Sequence, residues 1–241
     1  MIRYALLGML AFICGCVPHE AIGHGGACLA IGGRIELLTS VFFRCDPGTW
    51  LVDAAGTLMN LGVAALAWWA FAKGKLSPTM RLFALFVFVF NVFWGTGYFI
   101  YSAILGSGDL SFIWREHQAL PPWLWRTLLG ALGIFLYRRA MRVMSPHLPP
   151  RLPVLVVYLS AGALAVISVT LARTDLVAAI REALAESLLA SAGLAYLALS
   201  SGDSRDSNTA AVSPISGWFT MAAVPIIAAF LLLLGRGMGP A

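Results

Sequence analysis

The chain reads as an all-α polytopic membrane protein of about six to seven transmembrane helices, with a short strand or hairpin between the first two. Three observations lead there. Of its 241 residues, 60% are hydrophobic and only 11% are charged, whereas soluble domains carry about 25% charged residues. The mean hydropathy is +0.85, and several apolar runs approach the roughly 20 residues a helix needs to cross a bilayer. The basic residues cluster in short loops between those runs, where the positive-inside rule accounts for them. The net charge of +5 therefore reports topology and not nucleic-acid binding.

Seven apolar segments are expected. The first covers residues 4–31. Its opening "MIRYALLGMLAFICGC" resembles a signal peptide, and "ICGC" a lipoprotein box ending at Cys16. Apolar character resumes at "ACLAIGG", beyond a polar motif, so the reading is an uncleaved first helix. Next comes "GGRIELLTSVFFRCDPG", β-branched and aromatic between glycines, which predicts a short strand or hairpin. The second to fifth segments are expected at 51–72, 81–105, 123–144 and 152–172. The sixth, 183–200, is the weakest because Glu182 and Glu186 begin it. "SGDSRDSNTAAVSP" reads as a solvated loop before the seventh, 215–234. No repeat, coiled coil or soluble domain is visible.

The four cysteines form no C-x-x-C pair. Cys14, Cys16 and Cys28 read as small buried hydrophobes. Cys45 lies in a loop within reach of Cys28, and nothing in the sequence requires them to pair. Loop charge sets orientation. Lys73, Lys75 and Arg81 separate segments two and three, and Arg138, Arg139, Arg142 and Arg151 separate four and five. Both loops are expected in the cytoplasm, which places the N-terminus inside and loops 33–50 and 106–121 outside. An integral protein of a bacterial inner membrane is the expected setting.

"PHEAIGHGG", residues 18–26, carries the chemistry. Ionisable groups inside a membrane segment face protein or a water-filled cavity and need partners. Imidazole and carboxylate suit zinc. In a hydrolase such a site leaves one position for water, with a second carboxylate as base. On a regular helix, residues four apart lie about 40° apart around the axis and residues five apart about 140°, so His19 and His24 diverge. One π-type turn restores a common face, and Pro18 and Gly23 suit irregular backbone. Alternatively, Glu20 and His24, four apart, both ligate without a bulge. Asp109 follows Arg81 by 28 residues. At about 1.5 Å per residue it reaches the depth of the motif on the same side.

The ordered set of "HEAIGH", "GGRI", "AAGTLMN" and "GSGD" resembles the core of the site-2-protease family, the M50 intramembrane zinc metalloproteases, over residues 1 to about 110. The resemblance implies His19, His24 and Asp109 as zinc ligands, Glu20 as the base, and Asn60 as a residue that positions the substrate strand. It implies hydrolysis of peptide bonds in membrane-embedded or membrane-adjacent proteins. The departures are the extra residue in HExxH, Thr57 where the family has proline, and different surroundings for Asp109. Residues 111–241 are expected to be additional transmembrane helices without a counterpart. The alternative is a non-catalytic or metal-binding membrane protein on the same scaffold.

Other polar and aromatic residues read more plainly. Glu116 and His117 belong to an interfacial loop, and His147 to a basic loop on the opposite face. Trp50, Trp114, Trp123 and Trp125 read as interface anchors, and Gly95 and Gly97 as sites of close helix packing. No Gly-x-Ser-x-Gly elbow suggests a serine hydrolase.

Overall fold

The computed structural model describes residues 1–117, 120–172, 175–200 and 215–239. Helix α1, Ile2–Val17, runs through a π-helical turn, Pro18–His24, into α2, Gly25–Ala30. Together they make one continuous apolar span of 29 residues. A hairpin follows, with β1 at Arg34–Leu38 and β2 at Phe43–Asp46. The long helices α3, Trp50–Lys73, and α4, Pro78–Leu105, form the next pair. The short α5, Asp109–His117, precedes α6, Pro122–Met144, and α7, Arg151–Val169. Helix α8, Leu176–Leu184, passes through a π-turn, Ala185–Leu189, towards α9, Ala192–Ser200, and α10 is Gly217–Phe230.

Helix α1 is the axis of the packing, against α4, α7 and α10. Its Leu7, Ala11, Phe12 and Cys16 are buried. Phe12 stacks on Trp94 at 5.6 Å and meets Phe230 edge-on at 6.3 Å. At Gly8 an added Cβ would strike Val157 O and lie 2.8 Å from Val157 Cα. The α1–α7 contact is therefore made by nearly touching backbones, as small residues permit between apolar helices.

Among the described residues, five helices are long and apolar enough to cross a membrane, and a sixth if α8 through α9, bent by 42°, is one span. The membrane class and the early hairpin stand as expected. The expected six to seven spans compare with these five or six, by length and composition. Helix α6 forms where the fourth segment was expected, yet it is not among the five. Arg126 closes its apolar stretch at one end and Arg138 at the other. Residues 127–137 span about 17 Å at 1.5 Å per residue, against about 30 Å of hydrocarbon. The loop expected at 201–214 lies outside the described residues.

The hairpin is antiparallel, with Ile35 opposite Cys45, Leu38 opposite Phe43 and an irregularity between Ile35 and Leu37. Its β1 edge is partly closed by the C-terminal end. Leu38 and Met238 exchange backbone bonds of 2.8 and 2.7 Å. Cys28 and Cys45 form a disulfide with Cα atoms 5.9 Å apart, the pairing that the sequence left open. Cys14 and Cys16 are free.

Candidate metal centre

The site begins with a backbone irregularity. Pro18 has no N–H to offer the carbonyl four residues earlier, and that carbonyl, Cys14 O, instead accepts from Asn91 Nδ2 at 3.0 Å. The chain then winds as a π-turn, with Gly25 N–H bonded to Glu20 O five residues back. The wider turn absorbs the extra residue of the motif. It brings His19 and His24 to one face, with Nε2 atoms 3.2 Å apart.

Glycine lets the next helix approach. An added Cβ on Gly23 would lie 2.8 Å from Ala55 O and from Gly56 Cα. One on Gly56 would collide with His24 Nε2 and lie 2.9 Å from His19 Cε1. The π-turn and α3 thus meet glycine to glycine, and the imidazoles occupy the space that a side chain at 56 would fill. Asp109, first residue of α5, is aimed back by the chain reversal at Gly106 and Gly108, which have φ of 65° and 84°. Such left-handed backbone favours glycine. Asp109 Oδ2 lies 3.3 Å from His19 Nε2 and 3.5 Å from His24 Nε2.

The hydrogen bonds behind the rings assign their tautomers. His24 Nδ1–H donates to Val52 O at 2.7 Å. Asn60 Nδ2 donates to Gly15 O at 3.1 Å and to Asn91 Oδ1 at 2.9 Å. Its Oδ1 is therefore the atom that accepts from His19 Nδ1–H, at 2.5 Å. Both neutral imidazoles then turn an Nε2 lone pair inwards. Two lone pairs and a carboxylate oxygen converge, an arrangement that a cation would complete. The edges of this triangle, 3.2, 3.3 and 3.5 Å, can be compared with zinc. Tetrahedral bonds of 2.0–2.1 Å place neighbouring ligands about 3.3 Å apart. The donor set fits zinc in chemistry and in size, and the three atoms form the ligand cluster found among the described residues.

Packing and charge hold the set in place. The His19 ring stacks on Trp94 and on Tyr98, each at 5.2 Å, and the His24 ring on Phe43 of the hairpin at 5.5 Å. Thr57 Oγ1 donates to Asp109 Oδ2 at 3.1 Å. Burial by itself would raise the Asp109 carboxyl, but positive charge at the His24 and His19 rings, which a bound cation would supply in their place, holds it well below the usual carboxylate range. It is ionised at neutral pH, as a metal ligand must be.

The cluster opens on a cleft of about 340 Å³. Glu20, only 2% exposed, lines this cleft beside the ligands without belonging to the triangle. Asn60 is fully buried and stands behind His19, away from the cleft lining. His147 packs on Trp68 and Phe71, apart from the cluster. The side chains of Glu116 and His117 lie outside the described residues. Gly56, Asn91 and Tyr98 were not singled out from the sequence, and Thr57 only as a departure from the family pattern. Asn91 carried a readable signal, since an amide inside a Phe- and Val-rich membrane helix asks for a polar partner. Gly56 and Thr57 sat inside a stretch already noted. In comparisons with protein-family models, curated proteins and solved structures, nothing matches this chain.

Proposed function

We propose that this chain is an intramembrane zinc metallopeptidase of the site-2-protease type, acting on membrane-embedded or membrane-adjacent proteins or peptides. The carrying observation is the His19–His24–Asp109 triangle, whose edges suit a tetrahedral zinc site, beside a separate carboxylate in the same cleft. His19 Nε2, His24 Nε2 and Asp109 Oδ2 would hold the ion. Zinc supplies Lewis acidity, polarising a carbonyl and making water a stronger acid near neutral pH. Glu20 takes the proton of the attacking water and returns it to the leaving amine, the general acid–base role. Asn60 and Val52 O hold the two imidazoles in the tautomer that presents Nε2. Thr57 holds the carboxylate. The cleft wall includes Phe43 of the hairpin, so a substrate strand laid against residues 34–44 would lie beside the ligands.

The setting we propose is a bacterial inner membrane with the N-terminus in the cytoplasm and the cleft at the outer side. The basic loops support it. So does the Cys28–Cys45 disulfide, since such bonds persist on the oxidising side of a membrane.

The test is zinc per chain in detergent-purified protein, followed by cleavage of single-span reporter proteins and peptide libraries. Wild type should carry about one zinc, and Asp109→Ala a small fraction of that. Glu20→Gln should keep its zinc and lose hydrolysis by roughly 100-fold or more. Folded, chelator-free wild type that takes up no zinc overturns the proposal. A zinc-loaded wild type that cleaves nothing supports the non-catalytic alternative.

A further inference from the structure

The second half of the chain brings its own polar group to the cleft. Glu186 is 6% exposed, in the π-turn Ala185–Leu189, whose closing bond is Ala190 N–H to Ala185 O at 2.8 Å. Its Oε1 accepts from Tyr98 Oη at 2.9 Å. Its Oε2 is buried and has no hydrogen-bond partner among the described residues. The same side chain lines the metal cleft and an adjoining apolar cavity of about 300 Å³ walled by Ile100, Ile104 and Leu189. Tyr98 links the two ends of the arrangement, because its ring stacks on His19 while its hydroxyl holds Glu186.

A buried carboxylate oxygen without a donor is costly. Charge defines what would satisfy it. Among the described residues, Glu20, Asp53, Asp109, Glu182 and Glu186 line the cleft against one guanidinium, Arg181, which lies 3.4 Å from Glu182. With a bound dication and Arg181 counted, carboxyls still outnumber positive charges in this lining. Glu182 and Glu186 are four residues apart and line the same cleft, an arrangement that like charges disfavour and a cation between them relieves.

We infer that Glu186 is a substrate-binding residue whose carboxyl group receives a primary ammonium group of the substrate, with the neighbouring apolar cavity taking an aliphatic chain. The inference rests on the metallopeptidase reading above. The ammonium is either a peptide N-terminus or a lysine side chain.

Hydroxamates that grip zinc test both sources. The full chain, zinc-loaded in detergent, is titrated calorimetrically with leucine hydroxamate and its deamino analogue isocaproic hydroxamate. It is then titrated with ε-aminocaproic hydroxamate and its deamino analogue caproic hydroxamate. One amine should bind roughly tenfold or more tightly than its deamino partner. Preference for the first pair assigns an N-terminus, and for the second a lysine. Glu186→Gln should keep its zinc and lose the preference. A wild type with no preference in either pair overturns the inference, even if the variant fails to fold, and so does a preference that survives in Glu186→Gln. If zinc is not bound, or no hydroxamate binds, the metallopeptidase reading falls and takes this inference with it. If hydroxamates bind without regard to the amine, only Glu186 loses its role.

Discussion

At the scale of single residues, the site depends as much on what stands behind the imidazoles as on the imidazoles themselves. Asn60 spends its whole amide on one task. Two donated bonds fix its orientation, and the oxygen left over fixes His19. A leucine at 60 fills similar space but leaves the His19 Nδ1–H buried and unpaired, at about 1–3 kcal/mol. Asn60→Leu is therefore expected to weaken zinc binding about 10- to 100-fold, the usual loss when a partner of a ligating histidine is removed. Competition against a fluorescent chelator measures this. Gly56→Ala acts sterically, since its Cβ would enter the volume of the His24 ring. It should lower zinc affinity by at least as much in the same assay, and an unchanged affinity would show that α3 can retreat without cost.

At the scale of elements, the π-turn and the hairpin do different work. The turn converts a five-residue spacing into a shared face. The hairpin lays Phe43 against His24 and is pinned to α2 by Cys28–Cys45, a bond spanning 17 residues. Closing a loop of that size stabilises by about 3 kcal/mol in the chain-entropy model. Thiol counting by mass spectrometry on the denatured protein should find two reactive thiols, Cys14 and Cys16, before reduction and four after. Four before reduction would remove the disulfide as support for an outward-facing cleft. Loss of the bond in Cys45→Ser should lower stability by about that 3 kcal/mol while leaving the three ligands in place.

At the scale of the whole molecule, packing does not divide near residue 110. Helix α1 leads directly into the motif and is clasped by α7 and α10 from the second half. The α8 region closes the far wall of the cleft. Metal binding should therefore stabilise the entire bundle. At zinc a hundredfold above its Kd the gain is about 2.7 kcal/mol, which raises Tm by roughly 5–10 °C for a chain of this size. Differential scanning fluorimetry with and without zinc reads it, and the shift should vanish in Asp109→Ala.

The sequence by itself determined the class of the molecule, the hairpin and the candidate ligands. Each is a local property. Hydropathy summed over 20 residues, β-branched residues between glycines, and ionisable side chains in an apolar run all appear within one window. The sequence also marked α6 as a span, although the arginines that shorten its apolar stretch leave it outside the five helices long and apolar enough to cross a membrane among the described residues. Only the tertiary structure decided how the motif is used. The glycine-to-glycine contact with α3, the Asn60–Asn91 support and the approach of Glu186 join residues 31 to 88 positions apart. Such pairings are set by which helices pack together and at what depth. That choice comes from close packing summed over whole helix faces, and no short stretch of sequence contains it.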